Sequence, residues 1–230
     1  MDTRQWILSR LVIVFRGESA YTGLVSGDSE VLTLTVIGIT GPTGAGKTTA
    51  LHCLERLGAV IIDCDAVYHQ LLESDSALQK ELCERFGSVL DEQDGVDRKK
   101  LGGVVFGDPA ALADLDAIVR SYICRAVNSR LAAAERAGAV AAAVDGITII
   151  ESGLAAQCDT TVAVLAPVED RVRRICLREG ISEEYARARV AAQKDDNFFR
   201  SNCEHILFND CPDLGLFEQR ATDLFQKLIG

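Results

Sequence analysis

Gly41-Pro42-Thr43-Gly44-Ala45-Gly46-Lys47-Thr48 fits the pattern G-x-x-x-x-G-K-[ST] and stands between two stretches of different character. Upstream, Val36-Ile37-Gly38-Ile39-Thr40 is β-branched and apolar, as a buried strand requires. Downstream, the chain from Lys47 reads as a helix that stops at Gly58. Strand, glycine loop and helix in this order make a phosphate-binding element. The glycines let backbone N–H groups close around phosphate oxygens, and the helix turns its positive end toward them. The expected nucleotide contacts are Gly41, Gly44, Ala45, Gly46, Lys47, Thr48 and Thr49. Lys47 is placed to reach the β- and γ-phosphates, and the Thr48 hydroxyl to hold Mg²⁺.

The next apolar run, Ala59-Val60-Ile61-Ile62, ends in Asp63-Cys64-Asp65. With the first strand and helix it makes a βαβ unit, whose two strands are parallel. In such sheets ligands sit beyond the carboxyl ends of the strands, so the loop and these carboxylates share one edge. Residues i and i+2 of a strand point to one side, which would aim Asp63 and Asp65 together at the γ-phosphate. Two jobs are open to them: general base for an attacking hydroxyl, or a water-mediated ligand of Mg²⁺. Capping the helix that begins near Ala66 is the competing explanation, since Asp is a favoured N-cap.

Residues 66–136 read as mostly helical, with an amphipathic segment at Ala77–Phe86, a break at Gly87 and a polar loop at Asp91–Asp97. Asp108-Pro109 opens a further helix running to about Ala137, with Pro where its missing N–H costs nothing. This is too much helix for one crossover and implies an inserted subdomain able to receive a second substrate. Ala139–Val144 and Ile147–Ile150 are apolar runs on either side of a turn signal, Asp145-Gly146, and the second ends in Glu151. Thr160–Leu165 is a buried strand, His205–Asn209 a last short strand, and Pro212–Ile229 a closing amphipathic helix.

A formal net charge of −10 argues against nucleic acid or an anionic membrane as partner. Against that background the arginines stand out. Arg171, Arg173, Arg174 and Arg178 lie on one helical segment, and Arg187 and Arg189 on the next. Arg174 and Arg178 share a face. They suit a lid that stabilises charge on a transferring phosphoryl group, or else a solvated helix paired with Glu169, Glu179, Glu183 and Glu184. Gly180 is a candidate hinge. The eight cysteines include no C-x-x-C pair and read as reduced core residues of an intracellular, cytoplasmic protein. No apolar run approaches the ~20 residues that span a bilayer. Residues 1–33 are an N-terminal extension of uncertain role. Leu11–Phe15, between Arg10 and Arg16, is a weak organellar-targeting candidate that Asp2, Trp6 and Glu18 fit poorly, and an extra strand or loose arm is preferred.

Taken together, the order of these pieces resembles the dephospho-CoA kinases over about Val36 to Asn209. The resemblance is carried by GITGPTGAGKTT, LGAVIIDCDAVYHQLL, VDRKKLGGVVFGD, ESGLAAQCDTTVAVLAPVEDRVRRICLREGISEEYARARVAAQ and EHILFN. It implies an α/β fold: a three-layer P-loop NTPase core with a parallel sheet, a helical CoA-binding insertion (about 66–137) and a lid (about 174–200), all within residues 34–230. It implies transfer of the ATP γ-phosphate to the 3′-hydroxyl of dephospho-CoA, giving CoA and ADP in the last step of CoA biosynthesis, with Mg²⁺ required. The implied catalytic residues are Asp65, the second Asp of the family's D-x-D, with Lys47 and the lid arginines Arg174 and Arg178. Arg189 and Gln193 fall in the motif that follows.

Departures from the family pattern lie mostly on the acceptor side. Its His-Pro falls near Arg120-Ser121 and is absent. Its P-L-L-F-E is Ile147-Thr148-Ile149-Ile150-Glu151, keeping only the Glu. Pro42-Thr43 replaces the usual Gly-Ile, and Phe199 stands where lysine is common. The competing readings are another P-loop kinase acting on a nucleoside or sugar acid, and a degenerate ATP-binding regulatory paralogue. A GTPase-type switch would want an N-K-x-D motif, which the chain lacks.

Overall fold

The computed structural model describes residues 34–211 and 213–230. The N-terminal extension, with its Leu11–Phe15 stretch, and Pro212 lie outside the described residues.

The chain begins with β1 (Thr35–Thr40), α1 (Lys47–Arg56) and β2 (Val60–Asp63). Four helices follow: α2 (Cys64–Ser74), α3 (Ser76–Phe86), α4 (Arg98–Val105) and α5 (Pro109–Arg136). Next come β3 (Ala141–Asp145), a short 3₁₀ turn (Leu154–Gln157) and β4 (Thr160–Leu165). The rest is α6 (Val168–Glu179), α7 (Glu183–Ala191), α8 (Asp196–Asn202), β5 (His205–Phe208) and α9 (Leu214–Ile229).

All pairings in the sheet are parallel, in the order β2-β3-β1-β4-β5. β1 is central, so both its faces are covered, and its apolar run follows from that position. Ile37 and Ile39 are fully buried, packed with Ala50 and Leu54 of α1 and with Phe217 and Phe225 of α9. Central placement also puts the loop after β1 at the middle of the sheet's carboxyl edge, where the strand order reverses.

The helices α2 to α5 carry a core of their own, built on Leu72, Leu78, Leu82, Leu101, Leu115 and Val119. Their ends are set by aspartates at the N-cap. Asp75 accepts from the Leu78 amide, Asp97 from Lys99 and Lys100, and Asp108 from Ala110 and Ala111. Such caps are worth about 1 kcal/mol each. Phe199, at a position where the family commonly has lysine, is 1% exposed and packs on Ala163 and Leu165 of β4. No helix among the described residues is long and apolar enough to cross a membrane.

Two local expectations are corrected. β2 ends at Asp63 and α2 starts at the next residue, so the i, i+2 strand argument does not relate Asp63 to Asp65. Asp63 caps α2, its carboxylate accepting from the amides of Asp65 (2.8 Å) and Ala66 (3.0 Å). Asp145 is no turn residue but the last position of β3. The second apolar run, Ile147–Ile150, which would make a strand if its character alone decided, is a turn. Ser152 N–H bonds to Thr148 C=O (2.8 Å) as in a helical turn, and Ile149 reaches the core from there. Apolar character alone does not separate a buried turn from a short strand.

Candidate active site

The loop between β1 and α1 is held by its surroundings. Gly41 has φ +136°, and a Cβ there would meet Val164 O at 2.1 Å. Gly46 has φ +110°, and its Cβ would lie 2.5 Å from Asn209 Nδ2. Only glycine fits either position. Three loop carbonyls are then engaged from outside. Arg171 Nε donates to Thr43 O (3.0 Å), Arg174 Nη1 to Gly44 O (3.2 Å), and Asn209 Nδ2 to Ala45 O (2.9 Å). Lys47 Nζ crosses the loop to Gly41 O at 3.1 Å. Thr48 lies exposed in the first turn of α1, followed by Thr49.

Lys47 sits among charges from four elements. Burial pushes its pKa down, which is the largest effect, and Asp145, Asp65 and Asp63 push it back up while Arg178 lowers it further. Asp145 comes from β3, paired in register with Ile39 of β1 and Asp63 of β2. Its carboxyl is pushed up to about 6, chiefly by burial, against the pull of Lys47. Its Oδ1 is buried with no hydrogen-bond partner among the described residues. Asp65 is also raised, first by burial and then by Asp63, with Lys47 and His69 opposing. A base inside an enclosed site is tuned in this way.

Hard oxygen donors therefore gather around Lys47: the Thr48 hydroxyl and the carboxylates of Asp63, Asp65 and Asp145. Among the described residues no three His, Cys, Asp or Glu side chains converge to enclose a metal by themselves. Mg²⁺ usually takes one or two protein ligands and completes its shell with phosphate and water. Asp145 Oδ1, buried and without a hydrogen-bond partner among the described residues, is an oxygen of the kind such an ion takes.

The basic cluster divides. Arg171, 3% exposed, and Arg174 turn inward to the loop. Arg173 pairs with Asp170, and Arg187 with Glu169 and Glu183, at the surface. Arg178 pairs with Glu179 at 2.6 Å, and Arg189 pairs with the same carboxylate. Arg178 nevertheless lies near enough to lower the Lys47 pKa. Gly180 ends α6 in the left-handed conformation, φ +66°. Gln193, just beyond α7, donates to Thr43 Oγ1 (2.7 Å) and accepts from Thr43 N–H (3.1 Å) and Arg171 Nη2 (2.8 Å). Thr43, one of the departures in the loop, thus supplies the hydroxyl that ties α7 to the phosphate loop.

Beside Asp65 a cavity opens between α2, α5 and the segment after β3, lined by Asp65, Tyr68, Leu115, Asp116, Arg120 and Thr148. Arg120 stands where the family's histidine was expected, so that region of α5 does face a cavity next to the proposed base.

Sequence reasoning missed Asp145, Asn209, and Tyr68 with Asp116. The rule that picked out Asp63, an apolar strand closing on a carboxylate, finds Asp145 when applied to Ala139–Val144. The others had no signal in sequence, because their roles depend on what packs against them.

The sequence matches the profile of the family described as dephospho-CoA kinase over residues 35–213. A dephospho-CoA kinase of Streptomyces avermitilis is 35% identical over 196 residues, covering 84% of this chain and 93% of that protein. One from Geobacter sulfurreducens is 35% identical over 161 residues, covering 70% of this chain and 82% of its own. Among solved structures, TT1252 from Thermus thermophilus superposes with a TM-score of 0.69 at 29% identity, covering 84% of this chain and 97% of that one. A dephospho-CoA kinase from Campylobacter jejuni shares the fold, with a TM-score of 0.56 at 21% identity over 84% of this chain and 97% of its own.

Proposed function

Because this chain belongs to the dephospho-CoA kinase family, we propose that it transfers the γ-phosphate of ATP to the 3′-hydroxyl of dephospho-CoA, releasing CoA and ADP. The observation that carries this reading is the placement of Asp65. It stands near Lys47 on one side and lines the α2–α5 cavity on the other.

Phosphoryl transfer asks little covalent chemistry of a protein and much positioning and charge. Loop amides and Lys47 hold the β- and γ-phosphates, and Thr48, exposed in the first turn of the helix that follows, and Thr49 after it add hydroxyl contacts. Thr48 and Asp145, with Asp63 through a water, would hold Mg²⁺, which would supply neutralising charge for the phosphates. Asp65 orients the acceptor hydroxyl and takes its proton as the new P–O bond forms. Its raised pKa suits that task, since a base of ordinary carboxylate strength would compete weakly for an alcohol proton. Arg174 keeps the loop in shape, and Arg178, freed from Glu179, covers the transferring group. The helices around 66–137 receive the acceptor, and the segment 174–200 acts as the lid. The ligands are small molecules, without nucleic acid or membrane. The eight cysteines in the described region are all free thiols, which suits a reducing compartment such as the cytoplasm.

The test is to incubate the purified protein with Mg-ATP and dephospho-CoA and to follow CoA by mass spectrometry. Parallel reactions offer nucleosides, shikimate, gluconate and pantothenate. CoA formation alone supports the reading. Turnover of another acceptor in its place moves the chain to a different phosphate-loop kinase activity, and ATP binding without turnover makes it a regulatory relative.

A further inference from the structure

Tyr68 and Asp116 form a polar feature that the phosphate chemistry does not use. Asp116 is 7% exposed and Tyr68 5% exposed, and both line the cavity beside Asp65. The Tyr68 hydroxyl and Asp116 Oδ1 are buried, and neither has a hydrogen-bond partner among the described residues. The two feel each other: the Asp116 charge helps raise the tyrosine's pKa, which burial pushes up to about 12. Burial likewise pushes Asp116 up to about 6, while Arg120, one turn along α5, draws it down. Leaving such groups unsatisfied costs on the order of 1–3 kcal/mol each, more for a charge. A native fold that tolerates two of them in one cavity calls for an explanation.

The geometry supplies one. Tyr68 follows Asp65 by three residues on α2, so both side chains lie on one face of the helix, about 4.5 Å apart along its axis. A ligand whose reacting hydroxyl is at Asp65 therefore presents its neighbouring groups to Tyr68 and to Asp116 on the opposite wall. Leu115, Val119 and Leu154 give the same cavity apolar walls between these polar groups. An ionised carboxylate only accepts hydrogen bonds, so the ligand must bring the donor.

We propose that Asp116, with Tyr68 beside it, is a specificity-determining residue that accepts a hydrogen bond from a donor on the nucleoside end of the acceptor. The donor is either the ribose hydroxyl next to the reacting one or the exocyclic amine of the base. This rests on the reading of the chain as a dephospho-CoA kinase. In that frame Asp116 supplies acceptor recognition from α5, four residues before the position where the family's histidine is missing.

The test is steady-state kinetics of wild type, Asp116→Ala, Asp116→Asn and Tyr68→Phe. The acceptors are dephospho-CoA, its 2′-deoxy analogue, and the analogue with hypoxanthine replacing adenine. In Asp116→Ala the KM for dephospho-CoA rises about tenfold or more, as expected for a lost hydrogen bond to a charged group. The KM for ATP stays within twofold. Asp116→Asn, isosteric and still able to accept, gives a smaller rise and guards against misfolding of the alanine variant. The wild type's preference over one analogue collapses in Asp116→Ala, and which analogue it is identifies the donor. An unchanged KM for dephospho-CoA in both Asp116 variants overturns the proposal, as does an unchanged preference over both analogues. A wild type that makes no CoA overturns the kinase reading instead, so the two failures are distinct.

Discussion

Asp145, the last residue of β3, is the carboxylate that most strongly supports the charge of Lys47 in the phosphate loop. The two come from elements far apart in sequence and meet because β3 pairs with β1 in register, Ile39 opposite Asp145. Lys47 does not fully repay the burial of Asp145, whose pKa stands at about 6 instead of the ordinary 3.8. The folded state therefore holds that proton more tightly than the unfolded chain does. By linkage, the contribution of Asp145 to stability is most favourable below about pH 4, declines from there to about pH 6, and stays low above it. Asp145→Asn is expected to melt higher than wild type at pH 8, with the gap closing toward pH 4. It should also lose part of the stabilisation that Mg-ATP confers at pH 8. Thermal melts at both pH values, with and without Mg-ATP, check this.

Gly46→Ala should weaken nucleotide binding severely. The new Cβ requires φ +110° from an L-residue and lands 2.5 Å from Asn209 Nδ2, which is already bonded to Ala45 O. The backbone strain alone costs roughly 1–3 kcal/mol. Calorimetric titration with ATP should show binding weakened at least about a hundredfold, since the loop must shift to accept the methyl.

The arginines separate by what they touch. Arg178→Ala is expected to lower kcat by about 10² or more, while the melting temperature barely moves, because exposed ion pairs contribute at most about 1 kcal/mol. Arg173→Ala removes a surface pair with Asp170 and should leave both quantities near wild type. Equal losses in the two variants would show that Arg178 has no role at the phosphoryl group.

Gln193→Ala strips Thr43 of the bonds to its N–H and Oγ1, and takes one partner from buried Arg171. The cost is about 1–3 kcal/mol of stability, accompanied by a higher KM for ATP. Denaturant unfolding and ATP kinetics measure the two effects independently.

The phosphate loop was legible in the sequence because its glycines, lysine and threonine are dictated by local geometry. The same holds for α5, announced by Asp108-Pro109 and ending at Arg136, one residue before the expected Ala137. The relation of Asp63 to Asp65 was misread because a strand and a helix abut without a loop, and the parity of a strand does not carry across that junction. Asp145 was hidden by the habit of Asp-Gly to mark turns, although here the carboxylate closes a buried strand. The sorting of the arginines was not legible at all. Arg171, Arg173 and Arg174 are neighbours in sequence, and only the packing of α6 against the loop decides which of them turns inward.

The most direct measurement is a single-turnover rapid-quench experiment on wild type and Asp65→Asn with Mg-ATP and dephospho-CoA, paired with equilibrium binding of each substrate. The account predicts that the variant binds both within a few-fold of wild type, yet forms CoA roughly 10²–10⁴ times more slowly, the usual worth of a positioned base. A near-wild-type rate in Asp65→Asn, or a loss explained wholly by weaker acceptor binding, would contradict the role assigned to Asp65.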